Sequence, residues 1–98
     1  MDTEIIAKAL KELGHPTRLM IYKTVIRAGH QGIAVGGLQE KLSVPGSTLS
    51  HHIAGLASAG LISQRREGRT LFCVAEYQKL ESVMAYLQDE CCADENQK

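Results

Sequence analysis

Apolar positions fall at helical spacing along most of this chain, and two strand-like runs between residues 61 and 74 interrupt the pattern. Ile5, Ile6, Leu10 and Leu13 mark one side of a first helix that Gly14 stops. His15-Pro16-Thr17 restarts the chain with a proline suited to a first helical turn, and Leu19, Tyr22, Val25 and Ile26 form the stripe of a second helix ending at Gly29. Gly29-His30-Gln31-Gly32 reads as a loop. Val35, Leu38 and Leu42 predict a short third helix over 35–43, despite the cost of Gly36 and Gly37. After the turn Ser43-Val44-Pro45-Gly46, Ser47 is expected to cap a fourth helix that buries Leu49, Ile53 and Leu56, with Ala57 beside them, and ends at Gly60. Residues 61–66 and 70–74 are the strand-like runs, and Glu67-Gly68-Arg69 between them makes the pair a hairpin. A last helix is expected over about 76–91, with Tyr77, Leu80, Met84, Leu87 and Cys91 spaced as in a coiled-coil seam.

The predicted fold is mainly α with a small β-hairpin, in the order α-α-α-α-β-β-α. One domain spans 1–92, followed by a polar tail, 93–98, expected to be disordered. At 98 residues with four aromatics and no tryptophan, such a domain gains from pairing with a second copy. Ile6, Leu10, Leu80, Met84 and Leu87, on the first and last helices, are the expected homodimer interface.

The net charge is zero, but it is unevenly distributed. Between residues 14 and 75, Arg18, Lys23, Arg27, Lys41, Arg65, Arg66 and Arg69 stand against Glu40 and Glu67, a net +5, whereas both ends are acidic. A basic middle is a local field that suits phosphate. Ser47, Thr48, Ser50, His51 and His52 crowd the first turns of the fourth helix, where hydroxyls and imidazoles can reach base edges or phosphates. That helix has no Lys or Arg, so the attraction must come from Arg65, Arg66 and Arg69 around the hairpin tip. A recognition helix beside a basic hairpin describes a winged helix-turn-helix on double-stranded operator DNA. The plainer reading is a solvated helix face and a tip charged for solubility.

Leu13-Gly14-His15-Pro16-Thr17-Arg18-Leu19, the run from Val44 to Ile53, Leu56 with Ala59-Gly60-Leu61-Ile62, and Arg65-Arg66-Glu67-Gly68-Arg69 together resemble the ArsR/SmtB family of small bacterial repressors. The resemblance covers Ile5 to Cys92. It implies a homodimer that binds operator DNA and releases it when a metal, metalloid or thiol oxidant engages the protein. Two sensing sites of similar proteins have no counterpart here. The third helix has no thiol, and residues 77–90 contain no histidine. Cys91 and Cys92 resemble a C-terminal pair that answers arsenite or antimonite, without the third cysteine that follows it in that subgroup.

Three alternatives stay open for that pair: As(III) or Sb(III) held by two sulfurs, Zn(II) shared by two such pairs across a dimer, or oxidation. An inert pair at a frayed helix end is the bland counterpart. Cys73, between Phe72 and Val74, is expected to be a small core residue. No local motif joins a nucleophile to a base, so catalysis is not expected, and a winged-helix protein-interaction module is the stronger rival. With no apolar run long enough for a bilayer and no leader, a cytoplasmic protein with no membrane partner is expected.

Overall fold

The computed structural model describes residues 2–96. In chain order the elements are α1 (Thr3–Leu13), α2 (Pro16–Ala28), β1 (Ile33–Ala34), α3 (Val35–Leu42), α4 (Gly46–Ser58), β2 (Ile62–Glu67), β3 (Thr70–Ala75) and α5 (Tyr77–Gln88), with a closing 3-10 turn, Ala93–Asn96. The expected α-α-α-α-β-β-α order is present, with one short strand added.

That strand, β1, pairs antiparallel with β3, placing Ile33 opposite Cys73 and Ala34 opposite Phe72. The sheet order is therefore β1-β3-β2, and the hairpin supplies two of three strands. Gly32 makes the approach possible: its φ is +77°, and a Cβ there would lie 2.6 Å from the Cys73 carbonyl oxygen. Register in the hairpin runs from Ile62 opposite Ala75 to Glu67 opposite Thr70, leaving Gly68 and Arg69 as the tip.

The core lies where α1, α2 and α4 meet the sheet. Ile6, Ala9, Ile21, Tyr22, Val25, Leu38, Leu49, Ile53, Leu56, Leu61, Cys73 and Val83 are all buried in it. Cys73 is fully enclosed, as expected for a core thiol, and burial pushes its pKa up while a hydrogen bond with Gln64 opposes the rise.

Four sequence expectations need correction. Ile6 is 2% exposed and faces the core rather than a partner, because α1 lays Ile6 and Ala9 onto the rest of the domain. Leu80 is half-buried against the same core. The fourth helix starts two residues earlier than expected, with Pro45 in the cap position and no side-chain cap, so Ser47 lies inside the first turn. The last helix stops at Gln88, which takes Cys91 off its stripe. Asp89 and Glu90 would place carboxylates at the negative end of the helix dipole, and Glu90 turns to a φ of +57° instead. Of the tail at 93–98, the 3-10 turn Ala93–Asn96 is described; residues 97 and 98 lie outside the described residues.

What remains uncovered is concentrated on α1 and α5. Ile5, Leu10, Met84, Tyr86 and Leu87 are large apolar side chains left exposed, Met84 at 54% and Leu87 at 60%. The hydroxyls of Thr3 and Tyr86 are hydrogen-bonded, joining the start of α1 to the far end of α5. The Cα radius of gyration is 15.6 Å, against about 13 Å for a compact domain of this length, and the longest extent is 61 Å. No described helix is long and apolar enough to cross a membrane.

Candidate nucleic-acid interface

Four of the five polar residues assigned to the recognition helix face solvent. Ser47, Thr48, Ser50 and His51 are exposed on α4, while Leu49, Ile53 and Leu56 hold its other side in the core. Ala54, one turn beyond Ser50 and His51, is also exposed. Its small side chain would let that edge sit deep in a groove. The sequence did not single it out, because an alanine carries no polar cue.

The uncapped start of α4 adds to this face. Pro45 has φ −56° and ψ 145°, and no side chain accepts from the first-turn amides. Those N–H groups and the positive end of the dipole face outward beside Ser47 and Thr48, an arrangement that favours a phosphate oxygen. A serine cap would have occupied one of the amides.

His52 does not belong to the exposed face. It is 6% exposed, the only buried polar or charged residue among those described. Its Nδ1 accepts a hydrogen bond from Arg18 Nε at 3.0 Å. Arg18 Nη1 in turn donates to both carboxylate oxygens of Glu12 at 2.8 Å. The His15 ring lies 4.7 Å from that of His52, and the His51 ring 5.9 Å. Burial, then the neighbouring His15, Arg18 and His51, lower the pKa of His52 below its ordinary value and keep it neutral. His51 stays exposed one position before it, so the two successive histidines have different surroundings.

The hairpin arginines also divide. Arg65 is tied down: Nε donates to Glu67 at 3.0 Å, Nη2 donates to the Gln31 carbonyl at 2.8 Å, and the guanidinium carbon lies 5.1 Å from the Phe72 ring centre. It fastens the base of the wing to the loop after α2, a task the sequence did not reveal. Arg66 and Arg69 are exposed at the tip and make no ion pair among the described residues. They are the two wing cations free to meet a backbone.

The thiols lie away from this face. Cys91 and Cys92 are exposed beyond the end of α5, their Sγ atoms 3.5 Å apart. Among the described residues no group of three or more His, Cys, Asp or Glu side chains is placed to hold a metal ion. The pair offers two sulfurs, a donor set for a thiophilic centre only.

A profile of the helix-turn-helix domain matches residues 13–65. The chain is 34% identical over 92 residues to a biofilm growth-associated repressor of Agrobacterium fabrum, covering 93% of this chain and 76% of the other. Its fold superimposes on that of an ArsR-like transcriptional regulator from Rhodococcus sp. RHA1, with a TM-score of 0.76 and 21% identity over 87% of this chain and 77% of that one. It is also similar to the homodimeric winged helix-turn-helix DNA-binding domain Mb0332 of Mycobacterium bovis, with a TM-score of 0.69 and 26% identity, covering 97% of this chain and 83% of that one.

Proposed function

This chain belongs to the ArsR family of winged helix-turn-helix, DNA-binding transcriptional regulators, and from that membership we propose a repressor that grips operator DNA as a homodimer. The observation that carries the reading is the alignment of Ser47, Thr48, Ser50 and His51 on one outward edge of α4, beside an uncapped helix start. That edge enters the major groove, where His51 and the hydroxyls meet base edges and the first-turn amides meet a phosphate. Arg66 and Arg69 grip the flanking backbone or the adjoining minor groove. Arg65 holds the wing in place for them and touches no DNA.

Dimerisation uses Leu10, Met84 and Leu87 together with Ile5 and Tyr86, the apolar side chains that α1 and α5 leave bare. Burying that face against its copy removes the exposed apolar side chains of α1 and α5 from water and sets the spacing of the two α4 helices. The Mycobacterium bovis neighbour, a homodimer, supports pairing with a second copy. The domain is proposed to run over 1–92.

The release signal proposed for Cys91 and Cys92 is As(III) or Sb(III) held by the two adjacent thiols, a reading supported by their exposure and their 3.5 Å separation. Such a ligand releases DNA only through a difference in affinity between the bound and free dimers.

Gel shifts with duplex from upstream of its own gene test the whole reading. Binding should weaken with salt, and Arg66→Ala or Arg69→Ala should lower the salt slope by about one for each phosphate contact removed. No retention on duplex at low salt would refute DNA binding. Arsenite should release the wild type and spare Cys91→Ser/Cys92→Ser; equal behaviour of the two removes the thiols from the mechanism.

A further inference from the structure

We infer that Arg18 is a positioning residue that couples the dimer seam to the recognition helix: its guanidinium, held between Glu12 of α1 and His52 of α4, sets the pose of α4, and opening that bridge weakens DNA binding. The inference rests on the DNA-binding reading above.

Glu12 belongs to the same rigid helix as Ile5 and Leu10, which face the proposed partner, and His52 sits next to His51, which faces DNA. One side chain, placed at the start of α2, spans the two. Both of its contacts are well enclosed, with Arg18 and Glu12 side chains each 14% exposed. The neighbourhood is shaped for it. A Cβ at Gly55, one turn along α4 from His52, would lie 2.7 Å from Arg18 Nη1, so the guanidinium lies flat across a gap that only glycine leaves. His15, whose ring packs against His52, is itself fixed, because its Nδ1 accepts from the Thr17 amide as the cap of α2. A plain surface ion pair needs neither the gap nor a second partner on another helix.

The bridge has a definite protonation state. A guanidinium N–H can only donate, so its bond to His52 Nδ1 requires a neutral imidazole with its proton on Nε2. Proton uptake at Nδ1 removes the acceptor and sets a cation against the guanidinium. The charged and titratable groups around His52 are Glu12 from α1, His15 and Arg18 from the start of α2, and His51 from α4. Glu12 is the sole acid among them and is already engaged by Arg18, so nothing nearby welcomes the new charge. Acid therefore opens the bridge and frees α4 from α1.

The consequence is an acid-sensitive grip on DNA. One proton per protomer costs at most tenfold in affinity per pH unit, and a dimer at most a hundredfold. His51 lies on the face proposed to meet the groove, so the test is made in a His51→Gln background, which leaves His52 as the imidazole compared on α4. Affinity for the upstream duplex is measured from pH 8.5 to 5.5 at fixed ionic strength, with sedimentation confirming the dimer. The parent should lose affinity steeply in acid. His52→Asn, whose amide oxygen can still accept from Arg18 but cannot titrate, should keep the affinity seen at pH 8.5 and lose most of the decline.

Arg18→Lys, which retains the charge but cannot span both partners, should bind at least tenfold more weakly at pH 8.5 while remaining dimeric. An acid decline of the same size in His52→Asn, or Arg18→Lys binding within twofold of the parent, overturns the inference. Should Arg18→Lys unfold, Glu12→Gln replaces it with the same expectation. Failure of the wild-type protein to bind duplex at pH 8.5 refutes the DNA-binding reading instead, so the two failures are distinct.

Discussion

Replacing Gly55 with alanine should destabilise this protein, although the same change inside most helices does the reverse. Alanine in place of glycine at an exposed helix interior is worth about 1 kcal/mol of stability. At position 55 the new Cβ would meet Arg18 Nη1 at 2.7 Å, Cζ at 2.8 Å and Nη2 at 3.2 Å. Backbone is not in the way, so the guanidinium can move, but only by leaving Glu12 and His52. Hydrogen bonds involving a charged group contribute about 1.5–3 kcal/mol each, and losing the equivalent of one leaves a net deficit of about 0.5–2 kcal/mol after the helix gain. For a domain of this size each kcal/mol moves the melting temperature by about 4–8 °C.

Thermal melts at one fixed protomer concentration should therefore show Gly55→Ala falling by about 2–16 °C. In an Arg18→Ala background the obstacle is gone, and the same change should raise the melting temperature. That reversal is the coupling a double-mutant cycle detects. A Gly55→Ala protein that melts above wild type, with Arg18 intact, would refute the packing argument.

Leu87→Glu, at the most exposed large apolar position of α5, should convert the dimer to a monomer at micromolar concentration, seen by sedimentation; an unaltered dimer would move the interface elsewhere. Tyr22→Phe should stabilise slightly, by up to about 1 kcal/mol in chemical denaturation, because the buried Tyr22 hydroxyl has no hydrogen-bond partner. A loss of more than that would reveal a partner. Stability should also fall in acid through His52: its folded-state pKa lies below the ordinary 6.5, so the unfolded chain takes up a proton first. The contribution is intact above about 6.5 and is lost as pH falls through the folded pKa, so melts of His52→Asn should show a shallower acid decline than wild type.

The sequence made the element order readable because helical stripes and a Gly-centred hairpin are local features. Ile5 to Leu13, Leu49 to Leu56 and the strands about Gly68 each announce themselves within a dozen residues. What it hid depends on distant partners. β1 is two residues long and exists only by pairing with Cys73 and Phe72, some forty positions away. That His52 rather than His51 is buried goes with Arg18, which reaches α4 from the start of α2. Arg65 looked like its neighbour Arg66 until the Gln31 carbonyl and the Phe72 ring claimed it. Ile6 and Ile5 are equally apolar, and only the angle at which α1 docks separates a core residue from an exposed one. The end of α5 at Gln88 was obscured by an apolar Cys91 in step with the stripe, whereas the acids at 89 and 90 were the better cue.

Cys73, walled in at the middle of β3, gives the molecule a chemical clock. A bulky alkylating reagent can mark it only during excursions in which the central strand comes loose, so its labelling rate follows the equilibrium of global opening. The two sulfurs past α5 would be consumed at once and calibrate the reagent. Ligands that tighten the assembly, duplex included, should slow the inner reaction and leave the outer pair's rate to report only what happens at the chain's end.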